Sequence, residues 1–153
     1  MRESGVLHAA VEARVAFHDI DLAGIVWHGH YLKYLENARW ALMERLGFGL
    51  DAMLRSGYGW PIIDVRLRYV KAARFDDRLQ VQASLIAWQQ KLTINYLLRD
   101  ATTGERVARA QTDQACVEMQ TGALQLVMPQ FFLDLVDTAL ANEASARTAS
   151  VQR

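Results

Sequence analysis

Two periodicities divide this chain between strand and helix. Val11, Ala13, Val15 and Phe17 alternate with Glu12, Arg14, Ala16 and His18, which predicts a half-buried strand. From Asp19 to Trp27 neither period holds, and the segment reads as a loop. Tyr31, Tyr34, Leu35, Ala38, Leu42 and Leu46 then recur at steps of three and four, one face of an α-helix over about residues 29–46. Lys33, Glu36, Arg39 and Glu44 fall largely off that stripe. Gly47-Phe48-Gly49 stops the helix, Leu50 to Leu54 adds a short helical turn, and Ser56-Gly57-Tyr58-Gly59 reads as a flexible connector.

From Pro61 the period returns to two. Ile63, Val65, Leu67 and Tyr69 alternate with Asp64, Arg66 and Arg68, and after a turn over Ala72 to Asp77 the same alternation runs from Leu79 to Ala87. A turn at Gln89-Gln90 leads to Leu92, Ile94, Tyr96 and Leu98, and the run from Asp100 to Gly104 is a clear turn signal. The strand predicted from Arg106 to about Met119 is long enough to bend or carry a bulge. A short strand at Leu124 to Val127 follows, and Pro129 opens a last helix with Phe131, Phe132, Leu135, Val136 and Ala139 on its apolar side. Residues 1–140 are expected to form one domain, and the small, polar 141–153 segment a disordered tail.

Strands joined by short turns imply an antiparallel meander, and the long helix must bury its stripe against the sheet's concave face. The class is α+β. A hydrophobic fraction of 52% over 153 residues is ample for one core without disulfides or metal. The 17 basic and 17 acidic residues balance, which argues against a surface built for nucleic acid. The one cysteine, Cys116, has no internal partner and fits a reducing compartment. Neither a signal-peptide pattern nor a long apolar span is seen, so a cytoplasmic protein without a membrane span is expected.

The chemistry concentrates in Asp19-Ile-Asp21-Leu-Ala-Gly24-Ile-Val-Trp27-His28-Gly-His30-Tyr31. Two carboxylates stand just before a helix start, whose free N–H groups favour negative charge. This run resembles the signature of the 4-hydroxybenzoyl-CoA thioesterase-like family of hotdog-fold acyl-CoA thioesterases. The resemblance extends through Trp60-Pro61-Ile62-Ile63 and Phe75-Asp76-Asp77 to about Val127. It implies a hotdog fold: an antiparallel sheet wrapped around one long central helix, with a short C-terminal helix. It also implies a homodimer or homotetramer with sites between subunits, and no cofactor.

By that resemblance Asp21 is the catalytic carboxylate, either a nucleophile giving a mixed anhydride or a general base on water. The other use of an aspartate here is to cap a turn. The backbone N–H of His28 matches the family's oxyanion donor; its imidazole could contact the thioester sulfur or orient water, or be no more than a polar residue at a helix start. Asp19 is expected to pair with a base or a backbone amide. Gly24, Trp27, Tyr31, Trp60, Pro61 and Ile63 are candidate walls for the acyl group, or plain turn and core residues. Lys71, Arg74 and Lys91 are candidate contacts for coenzyme A phosphates, or solvated surface charge. Gln89 and Gln90 depart from the family, which places basic residues in that turn. Glu36, the helix carboxylate that serves another hotdog branch, falls off the stripe here. His18, Asp19, Asp21, His28 and His30 also invite a metal reading: His28 and His30, two apart, share no helix face but could chelate from a loop, while the resemblance implies no cofactor, so no metal is expected. The expected substrate is an aryl- or fatty-acyl thioester of coenzyme A or acyl carrier protein. The alternatives are a non-hydrolytic acyl-thioester-binding or scaffolding protein and, on the same fold, an acyl dehydratase.

Overall fold

The computed structural model describes residues 4–153. Its elements in chain order are β1 (Val6–Arg14), α1 (Tyr31–Arg45), α2 (Leu50–Ser56), β2 (Tyr58–Gly59), β3 (Ile62–Tyr69), β4 (Arg78–Ala87), β5 (Leu92–Asp100), β6 (Arg106–Gln114), β7 (Cys116–Glu118), β8 (Leu124–Gln125) and α3 (Gln130–Val151). Five strands form one antiparallel sheet in the order β1-β4-β5-β6-β3. The remaining three form a small sheet in the order β2-β7-β8.

The helical stripe is the core's centre. Each of its six residues is no more than 3% exposed. They pack against Leu79, Val81, Ala83 and Leu85 of β4 and Ile94, Tyr96 and Leu98 of β5, the inward sets that the period of two selects. The register is fixed because a slip of one residue would turn these side chains to solvent. A second aromatic cluster of Phe48, Trp60 and Phe132 joins the end of α1 to α3.

Several elements differ from expectation, each for a local reason. The first strand covers Val6–Arg14 and not the segment ending at His18. The chain leaves the sheet because Asp19 folds back, its Oδ2 accepting the Ala16 amide at 3.1 Å. Phe17 then lies 74% exposed, edge-on to Phe75. A 3-10 turn over His28–His30 precedes α1. The expected connector around Tyr58 is a strand, because Tyr58 and Gly59 pair with Glu118 and Val117. The long strand from Arg106 breaks at Ala115, whose amide donates to Pro61 O, and passes from one sheet to the other. The last strand keeps only Leu124–Gln125. The C-terminal helix is not short: it spans 22 residues, and the expected disordered tail continues it to Val151. Alanines of high helix propensity and the Glu143–Arg147 pair one turn apart favour that extension.

Strand β3 decides how the site is presented. It is an edge strand, and Ile62, Ile63, Val65 and Tyr69 are each at least 40% exposed. Alternation alone placed Ile63, Val65 and Tyr69 inward. A register shift between Ile62 and Asp64, together with the strand's place at the edge, leaves them uncovered.

Candidate active site

The Asp19–His28 segment is a tight hairpin clasped onto the first turn of α1. Asp19 is the clasp. It is 1% exposed and accepts hydrogen bonds from Lys33 Nζ, from Tyr34 Oη at 2.7 Å and from the Ala16 amide. Its carbonyl accepts the Trp27 amide at 2.9 Å. Burial by itself would raise the Asp19 pKa. The hydrogen bonds from Lys33, Tyr34 and Ala16 outweigh it and bring the carboxyl down to about 2. Asp19 is therefore an anion fixed in the scaffold, with no freedom to attack a substrate.

Asp21 stands at the exposed corner of the same hairpin. Its amide donates to Ile25 O at 2.8 Å, and its carbonyl accepts the Gly24 amide at 3.0 Å. Gly24 holds φ at +76°, a conformation that costs residues with a Cβ but not glycine. Asp21 Oδ1 accepts the Ala23 amide at 2.8 Å. Both uses of this aspartate are thus compatible: one oxygen holds the turn, and Oδ2 has no protein partner among the described residues. The hairpin is pinned in place by the Val26 amide, which donates to Ala73 O, and by a bridge between Ile25 and Arg74.

Asp21, His28 and Tyr31 line one hollow of about 240 Å³ with Tyr69, Val70 and Lys71. The His28 amide is in the first turn of the 3-10 segment, where N–H groups lack internal acceptors. Tyr69 donates from its hydroxyl to the His28 carbonyl at 2.7 Å, tying the next peptide unit, His28–Gly29, to β3. Tyr31 Oη accepts the Ala73 amide at 3.3 Å, and burial pushes its hydroxyl pKa upward, so it stays a neutral wall. The arrangement offers a carboxylate and a backbone donor on one concave surface, the two parts that acyl transfer needs.

Not every residue singled out from sequence joins this hollow. Trp27 meets the His28 ring at a tilt and the His30 ring edge-on, and is 46% exposed. Trp60 lies in the aromatic core with its indole N–H on Met128 Sδ at 3.3 Å. Pro61 and Ile63 sit at the start of β3, and Ile63 lines a separate hollow with Lys91, Leu124 and Leu126. Lys71 reaches the Asp21 hollow but is paired with Glu105. The Arg74 amide donates to Asp77 Oδ2 at 2.8 Å, which places the residue in the turn before β4. Lys91 is held by Asp113 at 2.5 Å, so the three basic residues do not converge in one chain. Glu36 pairs with Arg39, which also reaches buried Gln114. Among the described residues no group of three or more His, Cys, Asp or Glu side chains is placed to hold a metal. Burial pushes the Cys116 thiol up to about 11, which removes it as a nucleophile.

Sequence reasoning missed Tyr69 as a support, Lys33 and Tyr34 as the partners of Asp19, and Gly29. A Cβ on Gly29 would fall 2.2 Å from the Trp27 ring. Tyr69 was visible as the last inward position of a strand. Nothing in the spacing tied it to His28, 41 positions away.

A five-stranded antiparallel sheet packed on one long helix, with Asp21 and His28 lining a hollow at the helix start, defines a protein of the hotdog fold. The chain belongs to the thioesterase-like superfamily, whose family model matches residues 15–147. It is 30% identical to the 1,4-dihydroxy-2-naphthoyl-CoA hydrolase of Thermosynechococcus vestitus over 107 residues, 69% of this chain and 73% of that protein. It is 27% identical to the acyl-CoA thioesterase YbgC of Haemophilus influenzae over 114 residues, 69% of this chain and 78% of that one. The DHNA-CoA thioesterase of Staphylococcus aureus has the same fold, with a TM-score of 0.78 at 19% identity over 94% of this chain and 95% of that one. No helix among the described residues is long and apolar enough to cross a membrane.

Proposed function

We propose that the protein hydrolyses acyl thioesters of coenzyme A, with Asp21 as the reacting carboxylate and the His28 amide as the oxyanion donor. The observation that carries this reading is the shared hollow: Asp21 and His28 face it together, while Asp19 is tied into the scaffold. In the nucleophilic route a carboxylate oxygen attacks the thioester carbon and the thiolate leaves. The resulting mixed anhydride is then opened by water. In the general-base route Asp21 takes a proton from water as the water attacks. Similarity to relatives named for aryl- and acyl-CoA substrates supports a panel spanning both classes, read by thiol release. Hydrolysis of no member, with binding retained, would favour the non-hydrolytic alternative.

The hollow in one chain is smaller than the roughly 300–1,000 Å³ of ordinary small-molecule pockets. The uncovered apolar row of β3 lies on a free sheet edge, a surface that second copies pair with or cover. A homo-oligomer built on that edge is the expected state. Light scattering that finds only monomer at micromolar concentration would overturn it.

The carrier follows from the basic residues. At the Asp21 hollow the one lysine, Lys71, is paired with Glu105, and Lys91 is paired with Asp113 at a separate hollow, so no cluster of basic residues stands ready for a nucleotide there. The expected kcat/KM for one acyl group on coenzyme A and on pantetheine therefore differs by less than roughly tenfold, or about 1.4 kcal/mol. That outcome would admit acyl carrier protein as a natural donor. A large preference for coenzyme A that fades with salt would instead assign phosphate contacts to Lys71 and Arg74.

A further inference from the structure

The face of the five-stranded sheet turned away from α1 carries an unusual charge arrangement. Register places Arg68 directly opposite Arg109, and Arg99 directly opposite Arg106. Like charges facing each other across strands are destabilising unless something offsets them. The carboxylates that register puts on this face are already engaged: Glu12 with Arg78, Asp64 with Arg66 and Asp113 with Lys91. Arg68, Arg106 and Arg109 form no ion pair among the described residues.

Arg106 and Arg109 share a hollow of about 260 Å³ with His8, Gln82, Ser84, Asn95 and Leu97, and no acidic side chain among the described residues lines it. Arg109 Nε is buried and has no acceptor among the described residues. Such an orphaned donor on a residue that lines a hollow marks a missing acceptor. His8 Nδ1 lies 2.6 Å from Ser84 Oγ and 3.1 Å from Gln82 Nε2, which fixes the ring at the wall. The pocket thus presents two guanidinium groups, an imidazole and neutral polar groups on a rigid sheet. Arginine forks match the oxygens of a phosphate, and the volume admits one with room for a small substituent.

We propose that this outer-face hollow binds a phosphate group through Arg106 and Arg109, at a site separate from the one that carries Asp21. The proposal does not depend on thioester hydrolysis. The test is calorimetric titration of the full chain with inorganic phosphate at constant ionic strength, for wild type, Arg106→Gln and Arg109→Gln. Saturable binding by wild type, at least tenfold weaker in both variants, is the expected result. Arg106 is exposed, so its variant keeps the test informative if Arg109→Gln folds poorly. Thioester turnover on a pantetheine substrate should be unchanged in Arg106→Gln. Competition then identifies the source. Equal, weak displacement by coenzyme A and dephospho-coenzyme A is expected for a site that takes free phosphate and leaves no room for a nucleotide. Displacement by coenzyme A alone would support the same site with the substrate's 3′-phosphate as its ligand. Absence of saturable binding by wild type, or equal binding by Arg106→Gln, overturns the proposal. So does a smaller oligomer in Arg106→Gln without phosphate binding by wild type, which would put a second copy on this face.

Discussion

Asp21→Asn should lower turnover of the best thioester by about a hundredfold or more while the fold survives. The substitution keeps the shape of the side chain and its capacity to accept the Ala23 amide, so the hairpin corner is retained. It removes the negative charge, and with it both the nucleophile and the general base. Oδ2 is the oxygen with no protein partner, so little in the scaffold resists the change. The measurement is kcat on the same substrate with matched circular dichroism. Wild-type turnover in purified Asp21→Asn would end the proposed mechanism. His28→Ala is the companion variant. The donor assigned to His28 is its backbone N–H, which alanine keeps, so the loss should be far smaller. A loss as large as that of Asp21→Asn would show that the imidazole takes part. If Asp21 is the nucleophile, a single turnover in ¹⁸O-water followed by mass spectrometry should find label in the aspartate whenever water opens the anhydride at that carbon.

Asp19→Ala should destabilise the protein by about 3 kcal/mol, because the Tyr34 hydroxyl and the Ala16 amide lose their acceptor in a buried place. Lys33 is half exposed and can turn to water, so its share is small. The same carboxylate gives stability a pH dependence. Its folded pKa is lowered from 3.8 to about 2, so its contribution is complete above the unfolded value. It is lost as pH falls from about 4 to 2, and amounts to about 2 kcal/mol at 1.36 kcal/mol per unit. Urea unfolding across that window should show this part of the slope in wild type and not in Asp19→Asn. Identical slopes would refute the clasp as a source of acid sensitivity. Activity should fall in Asp19→Ala as well, through the hairpin that positions Asp21, and cooling should partly restore it if local melting is the cause.

The candidate site was legible in part. Asp21, Gly24, His28 and Tyr31 lie within one loop and helix start, so their spacing carried the information, and the structure gathers Asp21, His28 and Tyr31 around one hollow. Trp60, Pro61 and Ile63 adjoin one another in sequence and read as one wall. The bulge at Ile63 and the aromatic core around Phe132 send them to different places. Lys71 and Lys91 looked like free charge because their partners, Glu105 and Asp113, lie 34 and 22 positions away.

The sequence by itself determined the central helix, the inward face of β4 and β5, and the acid-bearing loop before α1. These follow from periodicity and turn chemistry, which act over a few residues and leave their mark in the order of side chains. The tertiary structure decided the rest: that Asp19 is clasped by Lys33 and Tyr34, that Tyr69 holds the His28 carbonyl, that β3 ends as an uncovered edge, and that register sets arginines from β3, β5 and β6 on the outer face. Each of these is a meeting between residues far apart in the chain. Such meetings depend on strand register and on which surfaces the core has already used, and no local pattern encodes either.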